Sequence, residues 1–342
     1  MHKTLSTLGI ISIAVALSTG LVHDSDAKTR LKMSSTPPGT SPYLYLSAFA
    51  DVVNRHAPDI EIQVNATGVA TKHYVEATRG TVDLFYAFPL QHQWMTKGQG
   101  PYKKVKSGPE IAKKASALLA LKSSVYQVLV RADSGIMTMM DIKGRKVFLG
   151  PPAGGATFIA TSIVEGATGF KRGKDFSVLR LGWGAGVDAF RDRQIDVLVN
   201  PSPLPAAILQ QIAITTKIRF LGIPKSKMNT PRIKKLFGSP GRTIETIQPG
   251  VYGKNQVNDE PVVTVGAWGG IGIRSSVSND VAYKITKAFW SNIREVHKKA
   301  VGFKDAIKLE NAFTEMASPL HPGAARYYKE IGMTVPGSMP SK

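Results

Sequence analysis

The sequence predicts an α/β protein with two lobes, because two separate stretches repeat one order of elements at one spacing. Each stretch alternates strand, helix, strand, helix and strand, the pattern of a parallel sheet with crossing helices. The intervals Pro37–Gly68 and Pro151–Gly182 are both 31 residues long. The longer intervals, Pro37–Asp83 and Pro151–Asp196, are 46 and 45 residues long. We therefore interpret the two stretches as copies of one βαβαβ unit.

The first copy begins with a short strand that ends at Ser34 and Ser35, followed by a proline-rich turn over 36–41. A helix from about 42 to 56 is predicted next, because Tyr45, Phe49 and Val53 recur on one face. The remaining elements follow in order: strand 61–65, loop 67–70, a helix ending near Gly80, and the apolar strand 84–88.

The second copy has the same order. Strand 146–149 leads into the glycine-rich loop 150–157, and a helix follows through Ile159 and Ile163. The remaining elements are strand 176–181, loop 182–186, a helix through Phe190 and Arg193, and the apolar strand 197–199, which we expect Asn200 and Pro201 to close.

Two β-rich stretches outside the copies are candidates for crossings between the lobes. They are 124–132 and 261–273, and a helix capped by Ser278 or Asn279 follows the second. We predict that residues 28–131 plus 263–342 form one lobe, and that residues 132–262 form the other.

Six loops are expected to meet in a cleft between the lobes. Right-handed crossovers gather the loops of each unit at the carboxyl ends of its parallel strands, and ligands bind at such edges. The loops are 37–41, 67–70, 88–91, 151–157, 183–186 and 200–203.

The chemistry of these loops favours an anion. Two of them, 37–41 and 151–157, lead directly into helices, whose first N–H groups are unpaired and whose dipole is positive. Glycines there let a ligand approach the backbone, and large rings such as Trp183 could cover an apolar part of it. The alternative is that the hydroxyls are ordinary helix caps and the rings are core. The predicted ligand contacts are Thr36, Gly39, Thr40, Ser41, Tyr43, Thr67, Gly68, Val69, Tyr86, Gly154, Gly155, Ala156, Thr157, Trp183 and Asn200.

Signatures of enzymes and cofactor sites are weak. The seven histidines show no metal-ligand spacing, and cysteine is absent. Loop 150–157 lacks the lysine of a phosphate-binding loop, and 182–186 departs from the dinucleotide spacing. We therefore predict no catalytic residues, no cofactor and no metal site.

The N-terminus predicts export. Lys3 precedes an apolar run over 8–17, and small residues flank Asp26, so a signal peptide over 1–27 with cleavage after Ala27 is expected. Without cysteine there is no lipid attachment site, so we expect free diffusion in a periplasm. The net charge is +20, and +21 without residues 1–27, which contain Lys3, Asp24 and Asp26. Because export makes nucleic acid an unsuitable partner, this charge favours anionic ligands or is simply a solvated basic surface.

Several segments resemble the TAXI family of extracytoplasmic solute receptors, which serve tripartite ATP-independent periplasmic (TRAP) transporters. The most specific is Pro-Leu-His-Pro-Gly-Ala at 319–324, followed by Arg-Tyr-Tyr-Lys-Glu at 326–330. The other segments are 133–136 with 141–144, loop 150–157, and 281–287.

The resemblance implies a type II periplasmic-binding fold, with a hinge and an interlobe cleft that closes on the ligand. It also implies small carboxylate ligands and delivery to the permease subunits of a TRAP transporter, and we expect a monomer. The family's cleft loops are rich in glycine, whereas this sequence has Pro37, Pro38 and Val69 there. The identity of the ligand therefore stays open, and it can be larger or more apolar than is usual for the family. Two alternatives also stay open: a sensory module that signals to a membrane kinase, and a periplasmic enzyme that uses Asp83 and Asp196.

Overall fold

A computed structural model describes residues 28–152, 154–316 and 318–337 of the 342-residue chain. The predicted signal peptide lies outside the described residues. The strands are β1 Thr29–Ser35, β2 Ile60–Ala66, β3 Leu84–Ala87, β4 Ala115–Arg131, β5 Lys146–Phe148, β6 Ser177–Val178, β7 Val197–Ser202, β8 Ile218–Phe220, β9 Arg242–Ile247 and β10 Val262–Arg274. The α-helices are α1 Ser41–His56, α2 Ala70–Thr78, α3 Pro89–Thr96, α4 Gly108–Ala112, α5 Gly155–Thr168, α6 Trp183–Arg191, α7 Ala207–Thr215, α8 Pro231–Phe237, α9 Asn279–Ser291, α10 Ile293–His297, α11 Phe303–Ala306 and α12 Pro322–Glu330.

These elements form a mixed α/β fold around one curled sheet, which confirms the predicted fold class. The order of the main path is β2-β1-β3-β10-β4-β7-β5-β6, with β8 beside β4 and β9 beside β10. Both predicted βαβαβ units are present with the same internal order. In the first, β1 lies between β2 and β3, and in the second, β5 lies between β6 and β7, always in parallel.

One aspartate in each unit makes the same hydrogen bonds. Asp83 accepts from the backbone N–H of Lys32 at 2.9 Å, and its own N–H donates to the Lys32 carbonyl at 2.8 Å. Asp196 makes the matching pair of bonds with Lys146, at 2.9 and 2.8 Å. Each carboxylate thus links the start of the third strand to the first strand of its unit. This edge is opposite to the carboxyl ends of the strands, where a cleft would form.

Two long antiparallel strands join the halves of the molecule. β4 pairs with β10 from Ala115 to Val125, and then with β7 and β8 up to Arg131. β10 pairs with β9 over 262–267 and with β3 over 270–273. A Cβ added to Gly270 would lie 2.1 Å from the carbonyl oxygen of Leu119, so glycine is required for the two strands to approach this closely.

Several predicted boundaries differ from the structure, including the predicted loops 88–91 and 183–186, which hold the first turns of α3 and α6. β4 begins at Ala115 and not near Ser124, and β6 is reduced to Ser177–Val178. β7 does not close at Pro201 but continues to Ser202. The proline is tolerated because β5 pairs with β7 only as far as Leu198, so beyond it one edge of β7 has no partner strand that needs an N–H donor.

The segment 319–324 proves to be structural. His321 is the N-cap of α12, and its Nδ1 accepts from the N–H of Gly323 at 3.2 Å while Nε2 contacts the Val277 carbonyl oxygen at 3.0 Å. A Cβ on Gly323 would lie 2.1 Å from the carbonyl oxygen of Asn279, so this glycine lets α12 pack closely against the start of α9. As predicted, Ser278 caps α9, where it accepts from the Val281 N–H at 3.2 Å.

The apolar core follows the two units. One buried cluster packs α1, α9 and α12 against the first unit, and a second contains residues from both units together with β4. A third packs α6 and α7 against β7. In the described part of the chain, no helix has the length and apolar character needed to cross a bilayer. The predicted lobes change between residues 131 and 132 and between residues 262 and 263. These positions fall at the end of β4 and the start of β10, and the lobe boundaries stay a prediction.

Candidate functional site

Four helices begin around one cavity of about 430 Å³. They are α1 and α2 of the first unit and α5 and α6 of the second, which begin at Ser41, Ala70, Gly155 and Trp183. A cavity of this volume accommodates a small organic molecule. The N-caps of the four helices are Thr40, Val69, Gly154 and Gly182; the last three have no side chain that can accept a hydrogen bond, and in the described structure that of Thr40 does not cap its helix. The first-turn N–H groups of both units are therefore free of side-chain caps.

Most of the predicted ligand contacts meet at this cavity. Eleven of them line it: Thr36, Gly39, Thr40, Ser41, Gly68, Val69, Gly154, Gly155, Ala156, Trp183 and Asn200. Trp183 is the first residue of α6 rather than part of a loop, and its ring meets Phe148 edge-on at 5.6 Å. Their roles toward a ligand stay predictions.

Four other predicted contacts lie outside the lining. Tyr43 is half-buried on α1, and the exposed Thr67 donates to Asn65 Oδ1 at 3.1 Å. Tyr86 is fully buried in β3 and packs on Phe88, with ring centroids 4.8 Å apart. Its ring belongs to the core because successive side chains of a strand alternate between faces.

The fourth residue, Thr157, shapes a loop in the same way as Thr40 does. Thr157 donates its hydroxyl to the Pro151 carbonyl oxygen at 2.6 Å, and Thr40 donates to that of Pro37 at 2.7 Å. In each unit a threonine near the start of the helix therefore fixes the proline turn before it. These hydroxyls hold the loops in shape, which sequence reasoning described only as capping or ligand contact.

Arg242 is the lining residue with the clearest need for a partner, and sequence reasoning missed it. It is the first residue of β9, and its Nε and Nη1 are shielded from solvent without a hydrogen-bond partner. Burial lowers the pKa of the guanidinium, and nearby Tyr126 opposes this. In the described chain Arg242 forms no ion pair. A shielded, unpaired cation is costly, so an anion in the cavity would stabilise it.

The other charged residues of the lining neutralise each other. Arg191 and Asp188 lie one turn apart on α6, with Nη1 and Oδ1 3.5 Å apart. The basic residues Lys72 and Arg180 do not line the cavity, and Lys72 pairs with Glu76 at 3.5 Å. Among the described residues, no group of three or more histidines and carboxylates is placed to hold a metal ion.

Contacts between the two units close the cavity. The Ser41 hydroxyl donates to the Pro201 carbonyl oxygen at 3.4 Å, which joins α1 to β7. On another side, Trp94 of α3 meets Phe158 of α5. Asn200 of β7 carries a shielded Oδ1 without a hydrogen-bond partner. The site is therefore a cavity between the two units that is lined by unsatisfied polar groups.

Residues 33–332 match the NMT1-like family, and the chain belongs to this family. Among solved structures, the periplasmic binding protein BugD has 12% sequence identity and a TM-score of 0.55, with 89% of this chain and 94% of that chain covered. This likeness shows a shared fold.

Two further structures are less similar. A TRAP periplasmic solute binding protein from Ralstonia eutropha H16, with bound (S)-2-acetolactate, has 12% identity and a TM-score of 0.46, covering 89% of this chain and 95% of that chain. The periplasmic aliphatic sulphonate binding protein SsuA from Escherichia coli has 11% identity and a TM-score of 0.43, covering 88% and 78%.

Proposed function

We propose that this protein is a periplasmic solute-binding receptor that captures a small organic anion, a carboxylate, and delivers it to the permease of a TRAP-type secondary transporter. The observation that carries the proposal is the interlobe cavity, where four uncapped helix N-termini and the unpaired Arg242 meet. Positive helix ends and a guanidinium both favour an anion.

The site supports binding rather than catalysis. The two acids considered for an enzyme, Asp83 and Asp196, bond to backbone N–H groups at the opposite edge of the sheet. The one carboxylate that lines the cavity among the described residues, Asp188, is paired with Arg191. A receptor needs only to change its open–closed equilibrium when the ligand binds.

Export, monomeric state and permease belong to the same proposal. The signal peptide predicted over 1–27 supports export to the periplasm. The TRAP-type permease is proposed from the family resemblance of 319–324 with 326–330, 133–136 with 141–144, 150–157 and 281–287. A sensory module with the same cavity is the second candidate function, because a membrane kinase could recognise the same closed form.

The test is calorimetry and thermal shift on the purified mature chain against a panel of carboxylates. At a hundred times its Kd, a ligand adds about 2.7 kcal/mol to the free energy of unfolding, so a clear rise in Tm is expected. Native mass spectrometry of protein purified without refolding would identify a co-purifying ligand. Binding of no anion, or chemical turnover of the bound anion, would contradict the proposal.

The transport role needs its own assay. Accumulation of the ligand in vesicles that contain the candidate permease should depend on added receptor and on an ion gradient. If uptake does not require the receptor, and the receptor instead changes the activity of a membrane kinase, then the sensory function holds.

A further inference from the structure

We infer that the ligand has one oxyanion head group, an apolar body and no ammonium group. This inference rests on the proposed function and makes its ligand class more specific. The head group is a carboxylate or a sulfonate, since both present oxygens to a guanidinium. Three features of the lining carry the inference: the number of unpaired charges, the character of the walls and the placement of the acid.

The count of unpaired charges sets the charge of the ligand. Among the described residues that line the cavity, the cations are Arg191 and Arg242. Arg191 already faces Asp188 at 3.5 Å, whereas Nε and Nη1 of Arg242 have no partner. One anionic group therefore satisfies the cavity. The second carboxylate of a dicarboxylate would have no cation of its own, and an unpaired charge away from water is costly.

The walls determine the body of the ligand. Most of the exposed wall of the cavity is apolar, and both halves of the chain contribute to it. Three apolar side chains come from the first half of the chain and three from the second: Val69, Phe88 and Leu90, and Trp183, Val187 and Ile208. An apolar ligand body removes this surface from water, which stabilises the complex by roughly 25 cal/mol for each Å² buried. A body with many hydroxyls would find hydrogen-bond partners on only part of the wall, such as Ser123 and Asn200, and would lose its water elsewhere.

The acid in the lining is badly placed for an ammonium group. Among the described lining residues the acid is Asp188, whose side chain is 67% exposed and paired with Arg191. The neutral Asn200 Oδ1 can accept a hydrogen bond but cannot offset a full positive charge. Arg242 would also repel an ammonium next to the head group. The cavity therefore selects against α-amino acids.

Matched ligands test each part of the inference by calorimetry. Three compounds share a phenyl body: 3-phenylpropanoate, L-phenylalanine and 3-phenylpropan-1-ol. The pair 4-methylpentanoate and L-leucine repeats the comparison of acid and amino acid with an aliphatic body. The compound 2-phenylethanesulfonate replaces the carboxylate head group with a sulfonate. L-Phenylalanine differs from 3-phenylpropanoate by one ammonium group, and the alcohol lacks the charge. We expect at least one of the two acids to bind at least ten times more tightly than the amino acid with the same body. We also expect 3-phenylpropanoate, if it is that acid, to bind at least ten times more tightly than 3-phenylpropan-1-ol. Glutamate and 2-oxoglutarate are included to test the proposed function by itself.

Variants assign the head group to its partner. Arg242→Gln should reduce affinity for the acid at least tenfold and leave binding of the alcohol unchanged, and Arg242→Lys should recover part of the loss. Arg180→Gln is the matched control, because Arg180 is exposed and does not line the cavity, and affinity for the acid should equal that of the original protein. Circular dichroism and Tm show whether each variant is folded.

The outcomes separate the inference from the proposed function. If glutamate or an α-amino acid binds most tightly, the inference is wrong and the proposed function stands. If 2-oxoglutarate binds more tightly than every monoanion, the inference that the ligand carries a single anionic head group is wrong. A preference for the sulfonate supports the inference and overturns the carboxylate of the proposed function. If no anion binds, both fail.

Discussion

The ring of Trp94 meets the ring of Phe158 edge-on across the gap between α3 and α5, with centroids 5.2 Å apart and an interplanar angle of 84°. Trp94 is buried, whereas Phe158 is 55% exposed. The contact joins the two halves of the molecule beside the cavity, because Trp94 also lines it. If the proposed receptor opens its cleft to release the ligand, we expect this contact to be broken in the open form.

Phe158→Ala should weaken ligand binding more than it weakens folding. An edge-to-face pair contributes about 0.5–1.5 kcal/mol, so the affinity should fall about two- to tenfold, mainly through faster release. Stopped-flow release of the ligand and urea unfolding measure the two effects. Ile214→Ala removes another exposed apolar side chain, 74% exposed, and serves as the control with unchanged affinity. Equal losses of stability in both variants, with no change in release, would contradict this role.

His92 should make the protein less stable in mild acid. Burial lowers its pKa from 6.5 to about 4, and its Nδ1 is in hydrogen-bond contact with the Tyr74 hydroxyl at 2.8 Å. As the pH falls below 6.5, the unfolded chain binds a proton that the folded chain does not bind until about pH 4. Stability is therefore lost over this window, by about 3 kcal/mol at its lower end.

His92→Asn removes this titration. Urea unfolding at several values between pH 7 and pH 4 should show a smaller loss of stability in the variant than in the original protein. His73 and His321 also have pKa values lowered by burial, so some loss of stability in acid should remain. Parallel curves for variant and original protein would show that His92 does not contribute.

Gly270→Ala should destabilise the protein strongly. The added Cβ would lie 2.1 Å from the Leu119 carbonyl oxygen, so β4 and β10 would have to separate, at a cost of about 2–4 kcal/mol. Gly184→Ala is the matched control, because its Cβ meets nothing within 4 Å and alanine favours the helix. Thermal unfolding measures both. Similar Tm values for the two variants would contradict the close approach.

Asp83 and Asp196 should contribute stability and not activity. Replacement of either by alanine leaves a backbone N–H without its acceptor, which costs about 1–3 kcal/mol. Asp83→Ala should cost more, because Asp83 also pairs with Arg274 at 2.5 Å, whereas Asp196 is 4.0 Å from Arg131. Ligand affinity should not change in either variant. The exposed Asp192 provides the control, since Asp192→Ala should leave stability within about 0.5 kcal/mol.

The duplicated units could be predicted because their signals are local. Proline turns, glycine loops and helical periodicity place α1, α2, α5 and α6 from short windows of sequence, and the matched intervals relate one unit to the other. The cleft loops then follow from the handedness of the crossovers. Eleven of the fifteen predicted contacts line the cavity for this reason.

The remaining features depend on pairing between distant segments. Arg242 reaches the cavity because β9 pairs with β10, and nothing in the sequence around 242 indicates a site. Trp94 and Phe158 are 64 positions apart, and their contact exists only once the two units face each other. Tyr86 is predicted to contact the ligand because it lies near the end of a strand, but its side chain is buried in the core. The pleat of the strand, and not the position along the chain, decides the direction of a side chain.

The continuous ladder of β4 and β10 has a mechanical consequence. Since both strands pass through both halves, opening of the cleft must bend and twist a hydrogen-bonded antiparallel ribbon rather than swing on a slack linker. Such a ribbon resists deformation along its whole length, so it exerts an elastic restoring force. We therefore expect the stiffness of β4 and β10 to influence the rate of capture and release, in addition to the contacts that Ser123, Ser124 and Tyr126 of β4 offer at the cavity.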